Sequence, residues 1–471
     1  MVKRTLSVSG KKTLSSNRPW HIETHGIDVV PDHERTGRVW DLFWIWFAGN
    51  IGLLALVYGA ILLTFGLNFW QGLLAIVTGS LSFVLVGVLS VAGRDGGAPM
   101  MALSRQVFGV YGNVLPSLVS WLSLVGWETI TMITGTLAFM ALFADVSHLP
   151  LAMRATLSMT LLMGLVIALS LLGQATLVVI QRWGSYVFGL LSVLVIGLLL
   201  VHARWHMVLT RPAGPWISGF LPALSIVIAG TGLSWANTAA DYSRYIPHRT
   251  SRFAIVTATT MGAFIPLVIL MAAGMLVATQ EPSLATSANP IAAIEKALPP
   301  WMSIPYLLTA AGGLIVEADL SLYSSGLNLL TMFVPFSRYR TIIVDAVIMV
   351  AGTIYVICVA KNFLGPLESF TLLLGIGLAA WAGIFITNQF FFRSPHNTVT
   401  ADALGAGPVR WRAVSSWIVA VLAGLAFTAS PLFQGPLAQG VFADSSLELL
   451  IAFGTGSLLY LVTGLLGGRA P

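Results

Sequence analysis

Two apolar segments of this chain are interrupted by glycines at a depth where a membrane helix is normally continuous. One is 47–52, which reads FAGNIG, in the first hydrophobic span, and the other is 229–235, AGTGLSW, in the sixth. Unwound backbone inside a bilayer leaves amide and carbonyl groups without partners, so it is tolerated only where it lines a protein cavity or binds a ligand. Interruptions in corresponding members of two five-helix halves point to the binding site of a secondary transporter.

The composition indicates that lipid surrounds most of the chain. Of 471 residues, 56% are hydrophobic and 9% are charged, against roughly 25% charged in a soluble protein. Twelve apolar spans follow one another, and about 20 residues suffice to cross a bilayer. Nineteen of the 24 lysines and arginines then fall on the side of both termini. This bias predicts a multi-pass protein of the cell membrane with cytoplasmic N- and C-termini. The charge of +6 is a topology signal and does not indicate a nucleic-acid partner.

The spans divide the chain into two halves of five and an appendage. The paired glycine breaks predict that the halves are inverted repeats. The expected order is a mobile cytoplasmic N-terminal tail at 1–38, a first repeat (spans one to five) at 39–204, an external connector at 205–217, a second repeat (spans six to ten) at 218–393, and spans eleven and twelve with the C-terminus at 394–471.

Carboxyl groups inside spans are functional candidates because charges are expensive in hydrocarbon. Span eight contains Glu317 and Asp319, and Glu317 shares a helical face with Ser321 and Ser324. That face could coordinate a cation or carry a proton.

Four further acidic residues are candidates. Glu128 in span three has a structural role or contacts substrate, whereas Asp345 in span nine and Glu368 in span ten lie near the ends of their spans. Asp241 is expected to pair with Arg244 at the cytoplasmic end of span six.

Two mid-span tryptophans indicate an aromatic site. Trp127 and Trp235 have small or polar neighbours, Ser234 and Asn237 among them. Indole faces stack on flat heterocycles, and an amide such as Asn237 or Asn50 offers a donor and an acceptor to the edge of a pyrimidine or purine.

Other mechanisms find little support in the sequence. No Walker A sequence is present, and the glycines at 230–232 lack the strand-to-helix context of a dinucleotide-binding turn. The histidines show no metal-ligand spacing within a span. We therefore expect neither an enzyme nor a resident metal or other cofactor.

Several stretches together resemble the nucleobase:cation symporter-1 family, particularly its purine-cytosine permease branch. The most specific match is SWAN at 234–237 continuing to ADYSRY at 240–245. The other matching stretches are 22–36 before the first span, 46–50, 97–109, 126–127, 322–324 and 380–384.

This resemblance implies a LeuT-like fold of two inverted five-helix repeats, with broken helices one and six and alternating access around a midplane site. It implies a nucleobase-like substrate between Trp127 and Trp235, with Asn237 and Thr131 bonding its edge. In sodium-coupled members the ion lies between helices one and eight. Those ligand positions match Ala48 and Ile51 for backbone groups, and Val316 and Glu317 for side-chain hydroxyls.

At the last two positions the chain departs from the family pattern, because valine has no side-chain oxygen and the other residue is an acid. A titrating Glu317 suits proton coupling better than a sodium site. We therefore expect a twelve-helix, all-α proton symporter that imports cytosine or a purine base, with sodium possible as the coupling ion. The alternative is a sodium-coupled importer of hydantoin, allantoin or a thiamine-related pyrimidine. A ligand-binding membrane receptor is a second class, and a membrane-embedded enzyme a third.

Overall fold

The structure is a computed structural model that describes residues 18–467, apart from 22, 24, 53, 147, 202, 286, 288, 334–337, 360–363, 393–406 and 431. Helices dominate it. Those up to the connector are α1 (Val39–Ala48), α2 (Leu54–Leu62), α3 (Phe69–Ser80), α4 (Phe83–Gly96), α5 (Met100–Phe108), α6 (Val114–Val146), α7 (Leu151–Leu171), α8 (Gly173–Val201) and α9 (Trp205–Thr210).

The second part of the chain is helical as well. It comprises α10 (Leu221–Ile228), α11 (Ser234–Ala236), α12 (Ala239–Ser243), α13 (Arg252–Ala278), α14 (Pro290–Lys296), α15 (Ser303–Thr331), α16 (Arg338–Cys358), α17 (Leu364–Thr387), α18 (Trp411–Ala426), α19 (Val441–Ser445) and α20 (Glu448–Leu466). Between α18 and α19, strands β1 (Ala429–Ser430) and β2 (Phe433–Gln434) form an antiparallel hairpin. Short 3-10 turns cover Asp32–Glu34, Leu63–Phe65, Pro282–Ala285 and Pro300–Met302, and π-helical turns cover Trp216–Phe220, Ala229–Leu233 and Asn388–Phe392.

The first span is broken where its glycines predict. α1 ends at Ala48 and α2 begins at Leu54, so the backbone is not helical over residues 49–52. The amide of Asn50 bonds the carbonyl of Phe47 three residues back, at 3.2 Å, rather than one four residues back. The intervening backbone is therefore free to face a cavity.

The sixth span is also interrupted, but the predicted position of the break is wrong. Its glycines lie in the π-helical turn Ala229–Leu233, and the helix is interrupted later, at Asn237 and Thr238 between α11 and α12. The hydroxyl of Thr231 donates to the carbonyl of Val227 at 2.6 Å, and that of Ser234 donates to the carbonyl of Thr231 at 2.8 Å. These side chains satisfy carbonyl groups that a widened turn would leave bare.

The long helices pack in two groups, with further helices against them. α13 packs on α1, α2, α3 and α4, while α6, α7, α15 and α16 pack on one another. Glycines bring backbones together in the first group: a Cβ on Gly274 would overlap the carbonyl of Leu56, as one on Gly59 would overlap that of Met271. Small residues allow such close approach where lipid provides no hydrophobic drive. α17, α18 and α20 form a third cluster.

Ten helices in the described part of the chain are long and apolar enough to cross a membrane. The expected first and eleventh spans correspond to shorter apolar helices, 39–48 with 54–65 and 411–426. The helices are therefore those of a multi-pass membrane protein, whereas the count of twelve spans stays a prediction.

Residues 18–38, here called the N-terminal segment, are packed against the helices. The amide of Trp20 donates to the Thr176 hydroxyl at 2.8 Å, and that of Val30 donates to the carbonyl of Gly97 at 2.8 Å. The side chain of Glu23 is 5% exposed. The expectation of a mobile tail is therefore wrong for this part of 1–38, and residues 1–17 lie outside the described residues.

Candidate substrate-binding site

A cavity lies where the break of the first span meets the sixth span, between the two groups of helices. Its empty volume, which includes space open to solvent, is about 420 Å³. Leu54, Ala55, Leu267 and Met271 give it an apolar wall. The polar and aromatic side chains at its surface are Asn50, Tyr58, Trp127, Thr231, Ser234, Trp235 and Glu317.

Two indoles on different helices form its aromatic surface. Trp235 is fixed by an edge contact with Trp46, at 5.6 Å between ring centroids, and Trp46 is itself completely buried. Trp127 lies 6.4 Å from Tyr58 and 6.1 Å edge-on from Phe370. Rings held in this way lose little conformational freedom when a flat ligand stacks on them.

Asn50 places an amide at the break. Its Nδ2 donates to the carbonyl of Trp46 at 2.8 Å, so the amide is oriented by the last turn of α1. Within the described residues its side-chain oxygen has no hydrogen-bond donor. A ring N–H or exocyclic amine of a ligand is a suitable donor for that oxygen.

Glu317 on α15 faces the same break. Its side chain is partly exposed to the cavity and has no hydrogen-bond partner within the described residues. A Cβ built on Gly52 would lie 2.7 Å from Glu317 Oε2. A larger residue at this position would therefore have to shift the Glu317 carboxyl group from its place beside the break.

Five of the side chains predicted for the site border this one cavity. Trp127, Trp235, Asn50 and Ser234 were expected to contact substrate, and Glu317 was expected to bind the coupling ion. They come from α6, α11, the break after α1 and α15, which are distant in the sequence.

Thr131 and Asn237 were also expected at the site but are not brought to the cavity. The hydroxyl of Thr131 donates to carbonyls of its own helix, at 3.0 Å to Trp127 and 2.9 Å to Glu128. Asn237 is completely buried, and its Nδ2 donates to the hydroxyl of Ser120 at 2.6 Å. Both side chains are engaged by protein groups, a fact that residue type alone does not reveal.

The remaining residues expected at the coupling site do not line the cavity either. Asp319 accepts a hydrogen bond from Ser170 at 2.8 Å, which turns it towards α7. Ser321 and Ala48 are buried in helix packing, and Ile51 lines a neighbouring cavity with an empty volume of about 330 Å³. Among the described residues that line the cavity, Glu317 is therefore not joined by Asp319 or Ser321.

Arg244 also has a partner that the sequence did not predict. Its Nη2 pairs with Glu23 Oε1 of the N-terminal segment at 2.6 Å. Asp241, its expected partner, accepts the backbone N–H of Met100 at 2.7 Å instead.

Tyr58 is the clearest site residue that sequence reasoning missed. It lies one turn beyond Leu54 on the cavity face of α2, and its ring packs against the π-helical turn, where a Cβ on Gly230 would come 2.6 Å from it. The helical spacing of Leu54 and Tyr58 after the break was the available signal.

A polar and aromatic cavity at a helix break, enclosed by apolar helices, is typical of a membrane transporter. The described residues contain no group of three or more histidine, cysteine, aspartate or glutamate side chains placed to hold a metal.

Comparison with known proteins identifies the family. Residues 29–450 match the family described as permease for cytosine/purines, uracil, thiamine, allantoin, and the chain belongs to that family. It is 27% identical over 462 residues to the putative purine-cytosine permease YxlA of Bacillus subtilis, covering 94% of this chain and 95% of that protein.

Solved structures with the same fold agree with this assignment. One is Mhp1, a nucleobase-cation-symport-1 family transporter, in a closed conformation with bromovinylhydantoin bound. Its TM-score is 0.72 at 20% identity, with 96% of this chain and 95% of Mhp1 covered. The inward-facing conformation of Mhp1 gives a TM-score of 0.69 at 18% identity and 95% coverage of both chains. The fold is thus that of a symporter structure known in two conformations.

Proposed function

We propose that this permease imports cytosine or a purine base across the cell membrane by proton symport. The observation that carries the proposal is the position of Glu317, a carboxyl group at the edge of an aromatic cavity and against the break of the first span. The termini are cytoplasmic in this proposal, and twelve helices form two inverted repeats with an appended pair.

The cavity supports a flat heterocycle as substrate. Trp127 and Trp235 offer ring faces, and the amide oxygen of Asn50 offers an acceptor to a ring N–H. Stacking of aromatic rings contributes about 0.5–1.5 kcal/mol beyond area burial. Cytosine and purines present both a flat face and an edge with donors, which apolar molecules of this size do not.

The chemistry at the coupling position supports a proton over sodium. Val316 has no side-chain oxygen, and its backbone carbonyl already accepts a hydrogen bond from Gln181 Nε2 at 2.9 Å. A lone carboxylate in a low-dielectric site gains strongly from taking up a proton. In the proposed cycle Glu317 takes a proton from outside, substrate binds beside the neutral acid, and both leave to the cytoplasm.

The two groups of helices support alternating access. The cavity has walls from α2 and α13 in one group and from α6 and α15 in the other. Movement of one group against the other would open the cavity to each side in turn. The N-terminal segment bonds to Arg244, which follows α12, a helix packed on α4 of the first group, and to Tyr323 on α15 of the second group. These bonds support a closed cytoplasmic side in the proposed cycle.

A second candidate is a sodium-coupled importer of hydantoin, allantoin or a thiamine-related pyrimidine. The bromovinylhydantoin bound in Mhp1 favours it, because a hydantoin ring is flat and carries N–H donors. Backbone carbonyls near Ala48 and Ile51, with the Glu317 carboxylate, would then supply the ligands for sodium.

Uptake by the full-length protein in proteoliposomes separates these candidates. Radiolabelled cytosine and adenine are offered with competing hypoxanthine, uracil, hydantoin and allantoin, with and without sodium, under a pH gradient that is acidic outside. We expect accumulation that needs the pH gradient, disappears with a protonophore and proceeds without sodium. Uptake that requires sodium and persists with the protonophore would refute proton coupling, and competition by hydantoin alone would refute the substrate.

A further inference from the structure

A second acidic site lies outside the substrate cavity, in the interface of α6, α15 and α16. Glu128 on α6 is 0% exposed, and neither of its carboxyl oxygens has a hydrogen-bond partner within the described residues. Asp345 on α16 is also 0% exposed. A buried carboxyl group without donors is rare in native proteins and calls for an explanation.

The two acids are linked through one hydroxyl group. Ser325 on α15 donates to Asp345 Oδ2 at 2.7 Å, and it also faces Glu128. The second oxygen of Asp345 accepts the indole N–H of Trp121 at 2.9 Å. Because Ser325 has a single proton and gives it to Asp345, Glu128 is left without a donor.

Within the described residues, neither Glu128 nor Asp345 forms an ion pair with a cation. The like charge of Asp345 acts on Glu128. The other charged groups on helices packed against α6 are Glu317 and Asp319 on α15, Arg340 on α16, Arg154 on α7, and Glu295 and Lys296 on α14. The side chains of Arg338 on α16 and Glu368 on α17 lie outside the described residues.

Two neighbouring carboxylates cannot both be ionised at this depth. The penalty for burying one unpaired charge is several kcal/mol, and a like charge nearby adds to it. Asp345 has two donors that stabilise a carboxylate, whereas Glu128 has none. The geometry therefore favours an ionised Asp345 and a neutral Glu128.

We propose that Glu128 and Asp345 form a second proton-binding site, in which the pair holds one proton, carried by Glu128, in the resting protein. The site is separate from Glu317, so it stands whether or not Glu317 couples transport to protons. It is next to the substrate site in sequence, because Trp127 lines the cavity. Ionisation of Glu128 would place a charge within the helix that carries this indole.

The test uses the purified full-length protein in lipid, with Glu128→Gln, Asp345→Asn and Glu317→Gln compared with the native chain. Infrared spectroscopy at neutral pH detects the carbonyl stretch of protonated carboxyl groups in a dry environment. We expect Glu128→Gln to abolish one such band that Glu317→Gln leaves in place. A spectrum unchanged by Glu128→Gln would overturn the proposal.

Thermal unfolding against pH provides a second measurement. As the pH rises, the unfolded chain releases the proton of Glu128 while the folded chain keeps it, so the folded state loses stability. The melting temperature of the native chain should therefore fall more steeply than that of Glu128→Gln, whose side chain is uncharged and of similar shape. Parallel curves would refute the proton site. Stabilisation by sodium in the native chain that is lost in Glu128→Gln would instead assign the pair to a metal cation and overturn the proton assignment.

Discussion

Glu317 and Gly52 are in contact across the break of the first span: a methyl group on Gly52 would come within 2.7 Å of Glu317 Oε2. The pair joins an ionisable side chain on α15 to the backbone that links α1 and α2. The proposed proton carrier is therefore in contact with a part of the chain that the membrane tolerates only around a cavity. Changes at either residue should act on transport more than on folding.

Gly52→Ala should lower uptake by at least about tenfold, a change of ~1.4 kcal/mol. The new methyl group would displace either the Glu317 carboxyl or the backbone of the break. Initial rates of labelled cytosine uptake, normalised to protein in the membrane, provide the measurement. Gly313→Ala is the control, because its Cβ would lie at an ordinary 3.7 Å from Gly52 Cα. Equal rates for the two variants would contradict the tight contact.

Glu317→Gln should abolish accumulation driven by a pH gradient and preserve exchange of substrate. Glutamine keeps the shape of the neutral acid but cannot release a proton, so binding and movement of the helices can continue without coupling. Uptake and counterflow in proteoliposomes separate the two activities. Glu281→Gln makes the same chemical change in a loop, where Glu281 accepts a hydrogen bond from Ser283, and should behave as the native chain. Accumulation that survives Glu317→Gln would remove this residue from coupling.

Trp235→Ala should raise the apparent KM for substrate by about two- to tenfold, as expected for loss of ~0.5–1.5 kcal/mol of stacking. Trp235→Phe should restore part of the loss, because a smaller aromatic face is kept. Trp301→Ala provides the matched control, since that indole is 68% exposed and far from the cavity lining. An unchanged KM for Trp235→Ala would show that this ring does not contact the substrate.

The class of protein and much of the site were predictable from sequence because each rests on local chemistry. Glycines weaken a helix wherever they lie in it, and the helix is interrupted at glycines 49 and 52. The mid-span indoles at 127 and 235 were recognisable because large side chains among small neighbours indicate an open space.

Other features depended on partners that the sequence does not identify. The sixth span stays helical through Gly230, as a π-helical turn. In that turn the hydroxyl groups of Thr231 and Ser234 donate to the carbonyls of Val227 and Thr231. Asn237 is turned from the cavity by Ser120, which lies 117 positions earlier in the chain. Such pairings follow from the packing of distant helices, so residue type alone predicts the capacity to bond but not the partner.

The same limit applies to the N-terminal segment, where Glu23 provides the last test. Glu23 Oε1 accepts from Arg244 Nη2 at 2.6 Å and from the Tyr245 and Tyr323 hydroxyls, and its Oε2 accepts the amide of Gln174 at 3.0 Å. Both charged side chains are almost completely buried. Removal of one member of a buried ion pair costs ~3–5 kcal/mol, because the other charge is left without compensation.

Glu23→Gln should therefore lower the melting temperature of the purified protein by several degrees, and the double variant with Arg244→Gln should recover part of the loss. Arg252→Gln is the control, because Arg252 is 70% exposed where it pairs with Asp95; an exposed pair contributes about 0–1 kcal/mol. If the melting temperature of Glu23→Gln equals that of the Arg252→Gln control, the N-terminal segment does not hold the helices together. If the double variant is the least stable of the three, the buried pair is not what Glu23 contributes.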